Sequence, residues 1–490
     1  MENLIANNAK FNEWPANFNF ENCLLNRGEY GQFLADYIRG ERRGFVLNLN
    51  GSWGSGKTEF LKRFYSLLLS QKHPVIYIDA WESDFSKDPL TVAASELLTQ
   101  LECFNKKLGS VDKVEKVKEV LGNFIRGTLV GAAAIVAKHA IDDAGTGVAI
   151  MQQLFTQRPE DFLNKLSAEH QAQVSAINEI RIALGELAQV LEDCYGAVLP
   201  VVVLVDELDR CRPNYAIEML EVIKHFFKTD NFVFVVATDT DQLVHSVSAV
   251  YGANFDAGQY LKRFFDRKVI LPSPDLASYI AVKEKRDVDV YSRLTIFPIR
   301  PYQELIDMKI NIIAVLAGYY DLKIRDIDQL LYKLDSCLRT MQATGERQGK
   351  DQLICFPALV IGLIEFDKGL DSFKLRSQTK PDDISLYRKT EDEIFGGMTM
   401  TDFVHHCMMS TQVKSTTKTG SFDRRYTTVE IQGFSDLSDM INDREYTKRS
   451  NWANEMSANL SLFDHAADAT QKYWLWDNYK KVIELAGNIE

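Results

Sequence analysis

The stretch Leu47–Phe64, "LNLNGSWGSGKTEFLKRF", decides how this chain folds. It reads as a strand, a glycine turn and then a helix. Gly51 to Thr58, "GSWGSGKT", fits the pattern GxxxxGK[ST] in full. Gly51, Gly54 and Gly56 are expected to take positive φ and let the backbone approach an anion closely. Successive N–H groups then point inward as an anion nest, with a helix N-terminus behind them. Candidate phosphate-binding residues are therefore Gly51, Ser52, Trp53, Gly54, Ser55, Gly56, Lys57, Thr58 and Glu59. In this pattern Lys57 bridges the β- and γ-phosphates, and the Thr58 hydroxyl ligates Mg²⁺. The context fits the motif, because an apolar strand precedes it. An amphipathic helix follows, Thr58 to Ser70, with Phe60, Leu61, Phe64, Leu67 and Leu68 on one face.

A second acidic element is required, and "VVVLVDELDRC" supplies it. Asp206 falls at the carboxyl end of a continuous apolar run, where a parallel α/β sheet places its ligand crevice. There it can hold Mg²⁺ and its waters. Glu207 is placed to orient and deprotonate an attacking water. The alternative is a local ion-pair cluster of Glu207, Asp209 and Arg210, and Asp209 can serve both ends. The next apolar run, "NFVFVVATD", ends in Asp239, either a γ-phosphate sensor or part of a helix start capped by Thr240 or Asp241. In "YLKRFFDRK" (Tyr260 to Lys268), Arg263 is the candidate to stabilise transferring phosphate from a neighbouring subunit; a solvated basic face is the alternative. Arg325, opening a later helix, is the candidate to reach the phosphates from a lid.

Strands "RRGFVLNLN", "PVIYIDAW", "VVVLVDELD" and "NFVFVVATD" lack alternation and are separated by helical runs at 24–38, 58–70, 84–103 and 217–227. That pattern implies a mostly parallel sheet covered on both faces. Roughly 120 residues separate the second strand from the third, whereas a βαβ unit needs about 30. Residues 105–195 therefore read as a helical insertion. The expected organisation is an α/β core at 1–104 and 196–275, the insertion at 105–195, a helical lid region at 276–375 and a C-terminal region at 376–490. In the lid, "RDIDQLLYKLDSCLRT" carries Ile327, Leu330, Leu331, Leu334 and Leu338 on one stripe. Residues 376–428, including "KSTTKTGSFDRRY", read as a long polar loop or a partly disordered segment, and the tail from Trp452 as helical.

Bulk properties narrow the function. The 490 residues exceed one hydrophobic core. A formal net charge of −12 argues against whole-surface binding to nucleic acid, though not against a local basic groove. The seven cysteines show no CxxC pair and read as reduced thiols of a cytoplasmic protein. "MENLIANNAKFNEW" is not a secretory signal. The most apolar window, Gly127 to Ala137, spans about 16 Å as a helix against roughly 30 Å of hydrocarbon. It reads as a packing helix, with a shallow membrane or partner contact as the alternative. Adjacent His405, His406 and Cys407 make a poor metal site without a second ligand pair.

Together, "LLNRGEYGQFLADYI", "GSWGSGKT" with its tryptophan, "DAWESD", "VDELDRC", "QYLKRFFDRK" and "LKIRDIDQLLYKL" resemble the KAP family of P-loop NTPases, among the STAND and AAA-like ATPases. Two positions depart from the family's usual pattern: Asp79 where an Asn is more usual, and Glu207 where Asp is commoner. The resemblance implies ATP as the nucleotide, assembly into a dimer or ring, and a link to bacterial anti-phage defence operons with partner proteins encoded alongside. The leading functional expectation is a Mg-dependent ATPase acting as a switch or motor. Alternatives are an ATP-binding signalling scaffold at a membrane or a partner, a small-molecule kinase, and a nucleic-acid-stimulated ATPase.

Overall fold

A computed structural model describes residues 6–86, 196–226, 229–284, 292–298, 305–376, 398–419, 425–431 and 470–488, apart from 8 and 274, with scattered positions at 89–100, 178–193, 387–394 and 454–456. The segment 101–177, with most of the expected insertion and the apolar window Gly127 to Ala137, lies outside the described residues. Among the described residues no helix is long and apolar enough to cross a membrane. The chain divides into two compact units, Met1–Pro274 and Asp275–Glu490.

The first unit is built on the glycine-turn strand. Helix α1 (Gly28–Arg39) leads to β1 (Phe45–Asn50), and α2 (Lys57–Ser70) starts directly after the glycine turn. Then come β2 (Val75–Asp79), β3 (Val201–Asp206), α3 (Pro213–Phe226), β4 (Phe232–Thr238), α4 (Thr240–Tyr251), α5 (Ala257–Leu261) and β5 (Arg267–Ile270). The sheet order is β2-β3-β4-β1-β5, parallel throughout. Every residue of β3 and β4 is buried, which explains why both read as unbroken β-branched runs rather than alternating ones. From α2, Phe60, Leu61, Phe64 and Leu68 are buried and Leu67 is partly so; each full burial contributes about 2 kcal/mol.

The strand order positions the site. Because β4 lies between β1 and β3, the three carboxyl ends fall side by side. Two asparagines in "LNLN" lock that junction. Buried Asn48 accepts from Thr238 Oγ1 at 3.0 Å and donates to Thr240 Oγ1 at 3.1 Å, while Asn50 Oδ1 accepts the Thr240 N–H at 2.9 Å. Strand β5 was not expected. It is a short, basic, largely exposed edge strand, and such a strand carries little hydrophobic signal.

The second unit contains α6 (Leu276–Glu284), β6 (Leu294–Phe297), α7 (Leu305–Tyr319), α8 (Ile324–Gln348), β7 (Asp351–Cys355), α9 (Phe356–Asp367), α10 (Met400–Met409), β8 (Val413–Thr419), β9 (Arg425–Ile431), β10 (Gln471–Tyr473) and α11 (Trp476–Gly487). It is mostly helical, as expected, and α8 buries Ile327, Leu330, Leu334 and Leu338. It also holds a small parallel sheet, β10-β7-β6, whose strands of three to five residues are too short to stand out by pattern. The expectation of a long polar loop at 376–428 needs correction. That span contains α10 and β8, and β8 pairs antiparallel with β9. "VKSTTKT" and "RYTTVEI" are polar yet rich in β-branched threonine and valine, and it is branching rather than polarity that favours strands.

Candidate nucleotide site

The glycine turn between β1 and α2 has the backbone of an anion nest. Gly54 and Gly56 take φ of 77° and 82°. Gly51 does not share that conformation, contrary to expectation. Its requirement is space, since a Cβ there would meet Ser55 Oγ at 2.7 Å and Lys57 Cγ at 3.3 Å. The N-cap of α2 is Gly56, with no side-chain cap, so the helix offers its first N–H groups to whatever enters the turn. Gly51 N–H donates to Thr238 O at 3.0 Å, and Ser55 N–H to Ser52 O at 3.1 Å. Arg27, just before α1, braces the turn from behind by donating to Ser55 O at 2.9 Å and Pro272 O at 2.8 Å. Burial lowers its guanidinium to about 10.

The side chains converge on the same point. Lys57 Nζ donates to Gly51 O at 2.9 Å and lies 3.5 Å from Asp209 Oδ2. Thr58 Oγ1 donates to Glu207 Oε1 at 2.7 Å. Asp206 is fully buried at the end of β3, where Oδ2 accepts from the Tyr77 hydroxyl at 2.9 Å and Oδ1 from the Glu207 N–H at 2.9 Å. Burial, and then the Glu207 charge, push the Asp206 carboxyl up to about 6; the hydrogen bonds from Thr58, Tyr77 and Glu207 oppose that rise. Glu207 follows in the left-handed region at φ 60°, which turns its side chain back toward Thr58. Its other oxygen, Oε2, is paired with Arg210 Nε.

Asp239 caps α4 by accepting the Gln242 N–H at 3.3 Å, so the cap is Asp239 rather than Thr240 or Asp241. It also accepts the Trp53 N–H at 2.9 Å, which ties the end of β4 to the glycine turn. Glu59 pairs with Arg63 one helical turn on, Oε1 to Nη2 at 2.6 Å. Ser52 and Trp53 are exposed at the turn's tip. Arg263 is exposed between α5 and β5, and among the described residues it makes no hydrogen bond or ion pair to the glycine turn. Arg325 is exposed in the first turn of α8, in the second unit.

Several contributors escaped the sequence reading. Tyr77 is one, held by the stacked pair Phe11–Trp14, with Trp14 5.0 Å and Phe11 5.9 Å from its ring. Nothing in "PVIYID" marks that tyrosine as a partner of an acid 129 positions away. Asn48 did leave a signal, as an amide inside an otherwise apolar strand.

The residues present fit a magnesium nucleotide. Two buried oxygens at the site, Asp209 Oδ1 and Ser55 Oγ, have no hydrogen-bond partner among the described residues, and buried polar atoms are ordinarily paired. No group of three or more His, Cys, Asp or Glu able to hold a metal occurs among the described residues.

With the parallel sheet, the glycine turn and the acidic strand end in place, the class is a P-loop nucleotide-binding fold. The KAP family P-loop domain matches residues 27–341, and the chain belongs to that family of P-loop NTPases. No curated protein matches the chain. Among solved structures, the Aeropyrum pernix ORC2 protein in its ADPNP–ADP complexes is similar over 91% of this chain and 95% of its own, at 11% identity and a TM-score of 0.31. A superposition that loose aligns no particular residues.

Proposed function

We propose that this chain is a Mg-dependent ATPase whose turnover drives a switch within a larger assembly. One observation carries the reading: Lys57, Thr58, Asp206 and Glu207 meet at the carboxyl ends of two strands, beside an uncapped helix N-terminus. Lys57 would place its ammonium against the β- and γ-phosphates, together with the N–H groups of the Gly51–Thr58 turn. The Thr58 hydroxyl and the Asp206 carboxylate would hold Mg²⁺ and its waters; Mg²⁺ supplies charge that offsets the phosphate oxygens. Tyr77 and the Glu207 N–H keep the Asp206 oxygens oriented. Glu207 would accept a proton from water at a carboxylate oxygen, and Asp239 couples the P-loop backbone to β4. Arg263, exposed beyond α5, is offered to a second copy, in keeping with a homo-oligomer, and Arg325 opens a helix suited to a lid. A place in an anti-phage operon, with partner proteins encoded alongside, rests on family membership alone.

The test is Glu207→Gln. It should retain ATP affinity and lower phosphate release by at least about 100-fold, within the range of general-base losses. Turnover at the wild-type rate would remove Glu207 from its role.

A further inference from the structure

The chemistry above needs a Glu207 oxygen turned to water, and in the structure both Glu207 oxygens are engaged by side chains. Oε1 accepts the Thr58 hydroxyl at 2.7 Å, and Oε2 is paired with Arg210. The local backbone enforces this pairing. Leu208–Arg210 is a single 3₁₀ turn, and residues three apart eclipse on such a turn, so Arg210 lies over Glu207. Arg210 is held in its turn by two tryptophans. Its guanidinium carbon lies 5.8 Å from the Trp53 ring centroid and 5.7 Å from that of Trp81. Trp53 belongs to the P-loop, and Trp81 follows β2.

The Trp81 turn is fixed by its own contacts. Asp79 Oδ1 accepts the N–H groups of Trp81 and Glu82 at 3.0 Å each, and Ala80 N–H donates to Asp206 O at 3.0 Å. Asp84 pairs with Arg212 at 3.2 Å. Trp53 is about as exposed as Trp81, at 55% against 54%, and its N–H donates to Asp239. Trp53 lies within the glycine turn and Trp81 outside it, so of the two rings on Arg210 it is the Trp53 one that adjoins any phosphate bound at the turn.

We infer that Arg210 is a latch on the general base. Clamped between Trp53 and Trp81, it holds the Glu207 carboxylate against Thr58 and keeps the site idle until phosphate at the P-loop moves Trp53. Arg210 is thus a positioning residue, acting through Glu207. The inference rests on the ATPase reading above and adds its control.

The test is Arg210→Gln, with Arg210→Lys beside it, since lysine keeps the charge but lacks the planar face that stacks. The latch predicts that R210Q raises kcat about tenfold with little change in KM, the rate scale of one lost ion pair with its ring contacts. R210K should fall between R210Q and wild type, and R210Q/E207Q should be no faster than E207Q. A second readout needs no turnover. In nucleotide-free protein, R210Q should make tryptophan emission more quenchable by acrylamide, and W53F/W81F should abolish that difference. Adding a non-hydrolysable ATP analogue with Mg²⁺ should move wild type toward R210Q.

A kcat in R210Q equal to or below wild type, with KM and thermal midpoint retained, would overturn the latch. So would quenching that R210Q leaves unchanged. If R210Q does not fold, R210K carries the same two readouts. A wild-type protein without ATPase activity would sink the ATPase reading instead, while the quenching comparison would still decide whether Arg210 is clamped.

Discussion

Both units of this chain contain parallel strands, and the two sheets finish in opposite chemistry. In the first unit the carboxyl ends of β1, β2, β3 and β4 are Asn50, Asp79, Asp206 and Thr238, with Asp239 next. In the second unit, β6, β7 and β10 end in Phe297, Cys355 and Tyr473, and Trp474 follows; all four are buried. Parallel sheets align their strand ends on one edge, so that edge is either a polar rim or a packing surface. Here one sheet presents acids, amides and a glycine turn, while the other presents aromatic rings to the helices around it. Cys355 N–H, for instance, donates to the Tyr479 hydroxyl at 2.7 Å inside the core. Parallel topology alone therefore does not mark a site; the residues at the strand ends do.

The largest expected effect at the polar edge is that of Lys57→Ala. Losing one charge-assisted contact to phosphate should weaken ATP binding by about 100-fold or more, measured by calorimetric titration. Retained affinity would mean that the nest alone holds the nucleotide. Two glycine substitutions then set the edges against each other. Gly51→Ala places a Cβ 2.7 Å from Ser55 Oγ and should cost about tenfold or more in nucleotide affinity, with a small change in thermal midpoint. Gly362→Ala, in α9, places a Cβ 2.6 Å from Ile483 Cδ1 and 3.2 Å from the Trp476 ring. It should destabilise the second unit by about 1–3 kcal/mol in urea unfolding and leave affinity near wild type. If the two variants exchanged phenotypes, the contrast between a site edge and a packing edge would be wrong.

The smallest effect concerns the opposite, amino-terminal edge of the first sheet. His73 is buried before β2, with Nδ1 3.1 Å from Pro200 O, and burial lowers its pKa from 6.5. The folded protein therefore binds this proton less readily than the unfolded chain. Stability should fall as pH drops below about 6.5 and be unaffected by this group above it. His73→Gln should flatten that part of the pH profile in thermal unfolding. An unchanged slope would show that another group dominates there.

The core of the first unit was legible because its signals are local. "GSWGSGKT" needs only neighbours in sequence to make a nest, and fully buried strands declare themselves by composition. The same local patterns overlooked β5 and β6, which are too short to show a period. They also took threonine-rich β8 for loop, because they weighed polarity over branching. At the site, Lys57, Thr58, Asp206 and Glu207 were named from motif spacing, and the structure brings them within hydrogen-bonding reach of one another or of the turn. Arg263 was named from a basic segment and Arg325 from a helix start, and both side chains are exposed.

By itself, the sequence determined the family, the phosphate turn, the acidic strand end and the buried parallel strands, since each depends on residue type over a few consecutive positions. Only the tertiary structure decided that β4 lies between β1 and β3, and that Tyr77 holds Asp206. It alone placed Glu207 against Thr58 and set Trp53 and Trp81 beside Arg210. The Tyr77–Asp206, Thr58–Glu207 and tryptophan–Arg210 contacts join residues far apart in the chain and form only when the sheet order brings the strand ends together, whereas the Glu207–Arg210 pair is local and was already an alternative in the sequence.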